Sequence, residues 1–125
     1  MSDAGAAATP GRRRILVVED EPLIGMLLED MLTDLGYEVA ASASRLDDAI
    51  KVAREQEFHA AILDVNLNGD TIVPVAEILV QRRIPFLFAT GYGEKGVPAA
   101  FQKHPTLEKP FQQDALQVTL AGLLG

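Results

Sequence analysis

The sequence predicts an α/β domain, a doubly wound five-stranded parallel sheet with helices on both faces. Two observations predict it. Short continuous apolar runs alternate along the chain with longer segments whose apolar residues recur at helical spacing. That is how strands buried on both faces and joined by crossover helices read. The chain also has 125 residues, 48% of them hydrophobic, and shows no internal repeat. A single domain of this size buries roughly two thirds of its unfolded surface and needs no staple.

The elements follow in order. Met1 to Gly11 are small and polar, and residues 1–12 read as a flexible tail ahead of a domain at 13–125. Arg12, Arg13 and Arg14 read as a solvated entry to the first strand. Ile15 to Val18 is a continuous apolar run, β-branched but for Leu16, hence a strand covered on both faces. Pro22 suits a first helical turn. Leu23, Leu27, Leu28, Met31, Leu32 and Leu35 then mark one helix face, and Gly36 stops it. Tyr37 to Ala43 is a weaker strand. Ser44-Arg45-Leu46-Asp47 resembles a capping box with Asp in place of Glu. Leu46, Ala49, Ile50 and Ala53 face the core from the helix that follows.

Phe58 to Leu63 is the third strand, and Asn66, Asn68 and Gly69 make a turn. Thr71 to Arg83 reads as a helix with Pro74 in its first turn, where its ring is tolerated. Ile84 to Ala89 is the fourth strand. Gly91 to Lys103 holds three glycines and Pro98, so any helix there is short or frayed. Thr106 to Glu108 is a brief fifth strand. Gln112 to Leu124 closes the domain as a helix with Leu116, Leu120 and Leu123 on one side. Crossovers of such a sheet are right-handed, and its sites lie beyond the carboxyl ends of the strands.

Composition narrows the function. There are 11 Lys and Arg against 18 Asp and Glu, a net charge of −7, and no cysteine. Excess acid argues against a nucleic-acid surface. Absence of cysteine excludes disulfides, Cys-ligated zinc and a thiol nucleophile, and suits a reducing compartment. With no signal peptide and no apolar run long enough to span a bilayer, a cytoplasmic protein without a membrane partner is expected.

The chemistry gathers at the strand ends. The first run ends in Glu19-Asp20-Glu21, the third in Asp64, the fourth in Thr90, and the fifth in Lys109 before Pro110. In a parallel sheet these converge on one rim. Two carboxylates about 4 Å apart repel by roughly 4 kcal/mol at an effective dielectric near 20, so the acids call for a cation. An all-oxygen set with few protein ligands favours Mg²⁺ over softer metals or a Ca²⁺ cage. A carboxylate, Mg²⁺, a hydroxyl and an ammonium around one pocket suit phosphoryl transfer, with the carboxylate as nucleophile. Glu21 reads as a charge favourable to the helix N-terminus. His59 and His104 read as structural or exposed.

The ordered set Ile15-Leu16-Val17-Val18-Glu19-Asp20-Glu21-Pro22, Ala61-Ile62-Leu63-Asp64-Val65, Phe88-Ala89-Thr90-Gly91-Tyr92 and Glu108-Lys109-Pro110-Phe111 resembles a bacterial response-regulator receiver domain over about residues 13–124. The stretch from Pro85 to Gly93 further resembles the subgroup with a Phe-Ala-Thr-Gly-Tyr signature, many of whose members are single-domain. The resemblance implies the flavodoxin-like receiver fold with strand order 2-1-3-4-5. It implies Asp64 as phosphoacceptor, and Mg²⁺ held by Glu19, Asp20, Asp64 and the Asn66 carbonyl, with Glu19 acting mainly through water. Thr90 matches the hydroxyl that swings toward the phosphoryl group, and Lys109 the lysine that pairs with it.

Three positions depart from the family pattern. Glu19 stands for the usual Asp, Asn68 for the usual Pro, and Thr106 for the usual aromatic switch. Tyr92 is the expected substitute switch. The expected protein is a single-domain response regulator, a phosphoacceptor rather than an enzyme. Its donor would be a phosphohistidine of a histidine kinase or phosphotransfer protein, and its output a downstream protein target. The alternative is a pseudo-receiver that binds proteins without phosphorylation. An aspartate-nucleophile phosphohydrolase is disfavoured because Asn66 stands where its second acid is needed.

Overall fold

The computed structural model describes residues 12–67, 69–91 and 96–125. Seven strands and four α-helices succeed one another: β1 (Arg14–Val18), α1 (Pro22–Asp34), β2 (Glu38–Ala43), α2 (Leu46–Glu55), β3 (Ala60–Asp64), β4 (Asn66–Leu67), β5 (Asp70–Thr71), α3 (Val73–Arg82), β6 (Phe86–Thr90), β7 (Thr106–Glu108) and α4 (Gln113–Leu124). The main sheet has the order β2-β1-β3-β6-β7 and every pairing in it is parallel. Counting its five strands along the chain, this is the predicted order 2-1-3-4-5. The expected turn after Asp64 forms, and it joins the two strands of a small antiparallel ribbon, β4 and β5. Gly69 sits at φ +88 in it, and its N–H is accepted by Asn66 Oδ1 at 2.8 Å. Asn68, the predicted tail at 1–11 and the candidate switch Tyr92 lie outside the described residues.

Alternation along the central strands divides the core between the two faces. Ile15, Val17, Ala60, Ile62, Leu87 and Ala89 pack with Leu28 and Leu32 of α1 and Leu116 and Leu120 of α4. Leu16, Val18, Ala61, Leu63, Phe86 and Phe88 pack with Ala49 and Ala53 of α2 and Val75, Ala76 and Leu79 of α3. The expected short or frayed helix between β6 and β7 is a single 3-10 turn, Ala99–Phe101, entered at Pro98. Phe101 is buried there against Phe86 and Phe88. His104 stacks on Phe86 with ring centroids 4.4 Å apart. His59 Nδ1 accepts the Arg14 N–H at 2.9 Å.

Two local expectations are corrected. The capping box does not form: α2 takes Arg45 as its N-cap, with no side-chain cap bond. The helix starts one residue too late for Ser44 to cap it. Asp47 and Asp48 fill the first turn instead, and Asp47 Oδ1 accepts the Asp48 N–H, placing acid where the helix dipole favours it. Arg14 is not a solvated residue either. It belongs to β1, pairs with Glu38 at 3.3 Å and donates to the Glu57 carbonyl at 2.7 Å.

Candidate functional site

Each candidate side chain is set by the strand that ends beneath it. Glu19 continues β1, its N–H bonded to the Ala43 carbonyl at 3.0 Å. Asp64 is the last residue of β3 and pairs with Ala89 of β6. Thr90 is the last residue of β6, and its carbonyl accepts the Lys109 N–H at 2.9 Å. Lys109 thus leaves β7 directly beside Thr90. The register brings all of them to one rim, where Asp20, Glu21, Asp64, Val65, Asn66, Thr90, Gly91, Gly96 and Lys109 line a cleft of about 400 Å³. Glu19 is joined to the cleft through its contact with Lys109.

The Lys109 ammonium sits between two buried carboxylates. Nζ lies 3.0 Å from Asp64 Oδ2 and 2.9 and 3.1 Å from the two Glu19 oxygens. Each carboxylate also accepts a main-chain N–H two residues ahead. Asn66 N donates to Asp64 Oδ1, and Glu21 N to Glu19 Oε2, both at 3.1 Å. These bonds fix both carboxylates against the bends that follow their strands. Oε1 of Glu19 is buried without a hydrogen bond of its own, its 2.9 Å contact with Nζ being an ion-pair approach.

Burial dominates the titration of the two acids. It pushes the Glu19 carboxyl up to about 7, against the Lys109 and Glu21 hydrogen bonds that pull it down. The Asp64 carboxyl is raised for the same reason, and the adjacent Asp20 carboxyl adds to the rise. Burial would lower the Lys109 ammonium, but its bonds to Glu19 and Asp64 outweigh that and hold it above the ordinary lysine value. One ammonium therefore faces more carboxylate than it can neutralise.

That surplus is the test of the expected Mg²⁺. Carboxylate oxygens of Glu19, Asp20 and Glu21 lie within 4.8 Å of one another, and Asp64 lines the same cleft. An all-oxygen, excess-anionic set open to water fits a hard divalent cation. The Asn66 side chain is committed to Gly69, so any metal contact from Asn66 falls to its main-chain carbonyl.

The structure brings together every candidate among the described residues: Glu19, Asp20, Asp64, Asn66, Thr90 and Lys109. It adds Glu21, whose Oε1 approaches Lys109 Nζ at 3.7 Å. In the sequence that residue stands in the acid cluster that ends the first strand and reads as a helix-terminus charge rather than as a partner of Lys109. Its signal was the unbroken run of three acids, of which a helix start needs only the last.

Sheet order and rim chemistry define the class: a receiver domain of two-component signalling. The chain belongs to the response regulator receiver domain family, whose description matches residues 15–121. SdrG from Sphingomonas melonis Fr1 has a similar structure, with a TM-score of 0.83 and 42% identity over 94% of this chain and 100% of that one. The phyllosphere-induced regulator PhyR of Methylorubrum extorquens is 35% identical over 78% of this chain, which spans only 38% of PhyR's length. The receiver domain of sensor histidine kinase PA1611 from Pseudomonas aeruginosa is 25% identical, with a TM-score of 0.75 over 92% of this chain and 99% of that one. It is described with a magnesium ion coordinated in the active-site cleft. Domains of this family are signalling modules rather than catalysts, interact with histidine kinases and downstream targets, and bind Mg²⁺ at the acidic end of the sheet. Among the described residues no helix is long and apolar enough to cross a membrane.

Proposed function

We propose that residues 13–125 form a phosphoacceptor domain that takes a phosphoryl group onto Asp64 from a phosphohistidine of a histidine kinase or phosphotransfer protein, and signals by binding a downstream protein. The observation that carries this reading is the Lys109 ammonium held 3.0 Å from the buried Asp64 carboxylate, in one cleft with Thr90 and Asp20 and paired also with Glu19. A stabilising ion pair alone would not require a hydroxyl and further acids on the same rim.

In the transfer, Asp64 attacks phosphorus through a carboxylate oxygen. The P–N bond breaks, its electron pair stays on the imidazole nitrogen, and the leaving ring takes up a proton from solvent. Lys109 shifts from the carboxylate to the transferred oxygens and offsets their charge, while Thr90 donates a hydrogen bond to them. Glu19, Asp20, Asp64 and the Asn66 carbonyl would hold Mg²⁺, which would supply positive charge to the phosphoryl group. The bonds from Asn66 N and Lys109 hold the attacking group in place beforehand, which lowers the entropic part of the barrier. Water later cleaves the acyl phosphate and restores the carboxylate.

The likeness to SdrG supports the reading, since that protein also has a solution structure described as its BeF3-activated conformation, 42% identical to this chain. The signature subgroup and the switch role of Tyr92 belong to the same proposal. Incubation with phosphorylated candidate kinases and Mg²⁺ should place acid-labile label on Asp64. Label that survives Asp64→Asn undiminished would overturn the assignment, and a chain that takes no label from any donor would favour the pseudo-receiver.

A further inference from the structure

Gly96 lies on the wall of the cleft, a few residues past the hydroxyl in sequence. A Cβ built on it would meet Val65 Cγ2 at 2.6 Å and Thr90 Oγ1 at 3.5 Å. The first distance is closer than carbon atoms tolerate. The atom it meets belongs to a β-branched side chain with little rotamer freedom, on the residue directly after Asp64. Downstream, Val97 and Phe101 are buried, 7% and 8% exposed, and both belong to the core cluster under α2 and α3. The chain at Gly96 is thus pinned on one side by the core and on the other by Val65, and it cannot yield to a side chain cheaply. Its φ is not in the left-handed region, so backbone conformation does not explain a glycine here. Close approach does.

We propose that Gly96 is a positioning residue for phosphoryl acceptance. By carrying no side chain it lets the chain entering the 3-10 turn seat on Val65, and it leaves Thr90 the room to reach a group on Asp64. The inference rests on Asp64 as acceptor. A methyl at 96 must displace Val65, and with it the main chain beside the acceptor, or displace its own segment and open the wall next to Thr90. Either movement spoils the phosphoryl side of the cleft. The acids of the first strand end, Glu19 and Asp20, are spared, because the nearest atoms to a Cβ at 96 are those of Val65 and Thr90 and none belongs to an acid.

The test is binding of beryllium fluoride, a phosphoryl analogue, measured with Mg²⁺ present, alongside binding of Mg²⁺ alone. Gly96→Ala should weaken analogue binding on the order of tenfold or more, as displacements near an ångström do at such sites, with Mg²⁺ affinity falling by much less. Adding Val65→Ala, which removes the clashing methyls, should restore analogue binding. Three results overturn the proposal: unchanged analogue binding in Gly96→Ala, parallel loss of Mg²⁺ and analogue binding, or no recovery in the double variant. Failure of the acceptor reading looks different, because the parent chain would then bind no analogue and Asp64→Asn would not differ from it.

Discussion

At Asp64, burial and charge oppose the fold while hydrogen bonds support it. The carboxylate accepts from Lys109 and from Asn66 N, yet burial and the Asp20 carboxyl raise its pKa. Removing a charge from a buried cluster relieves desolvation and repulsion, and an amide oxygen can still accept the main-chain N–H. Asp64→Asn without Mg²⁺ should therefore be as stable as the parent or more stable. Urea denaturation checks this, and a loss above about 2 kcal/mol, the scale of an orphaned buried partner, would mean the carboxylate is structural. The residues of the site were largely legible in the sequence, since each polar side chain stands directly after its own apolar run. What could not be read was Gly96. Its role depends on two stretches distant in sequence coming within contact, and neither composition nor period records that. Glu21 was half legible: its place at a helix start was visible, its approach to Lys109 was not.

At the scale of elements, the strands and long helices were read from continuous runs and helical spacing, with boundaries displaced by a residue or two. The Phe58 run became Ala60–Asp64, and the Thr71 helix became Val73–Arg82. Local chemistry was harder, because one residue of slip changes a cap. The ribbon of β4 and β5 and the missing capping box are both of that kind. The end of α3 is a further case. Arg83 stands at φ 62 and ψ 36 as its C-cap, and its N–H returns to the Leu79 and Val80 carbonyls. A left-handed residue with a side chain costs about 1–2 kcal/mol, which glycine avoids. Arg83 is exposed, so Arg83→Gly should raise stability by roughly 0.5–1 kcal/mol after the entropy of the freer unfolded chain is subtracted. A thermal melt higher by a few degrees, with an unchanged denaturant slope, is the expected outcome. A lower midpoint would show that the Arg83 side chain stabilises α3 by more than its backbone strain costs.

For the whole molecule, the rim couples metal, protons and folding. The Glu19 carboxyl rises from 4.5 to about 7 on folding, and the Asp64 carboxyl rises above 3.8. Between the unfolded and folded values the native chain holds more protons than the unfolded one, so the stability these groups contribute is present below pH 4.5 and is lost as pH rises toward 7. Lys109 has the same sign, but its contribution is lost only above the ordinary lysine range. Mg²⁺ competes with those protons for the same oxygens, so its affinity should climb over the window in which the metal-free chain weakens. A ligand that binds only the folded state adds stability as RT ln(1 + [L]/Kd), so tighter binding at fixed concentration adds more. The gain in melting temperature on adding millimolar Mg²⁺ should then be small at pH 5 and distinctly larger at pH 8, while the metal-free chain melts lower at pH 8 than at pH 5. Glu19→Gln should flatten both trends, since it removes the carboxyl with the largest rise. Equal Mg²⁺ gains at the two pH values would show that the metal, if it binds, does not displace protons from Glu19 and Asp64. The surplus charge around Lys109 would then have to be balanced in some other way.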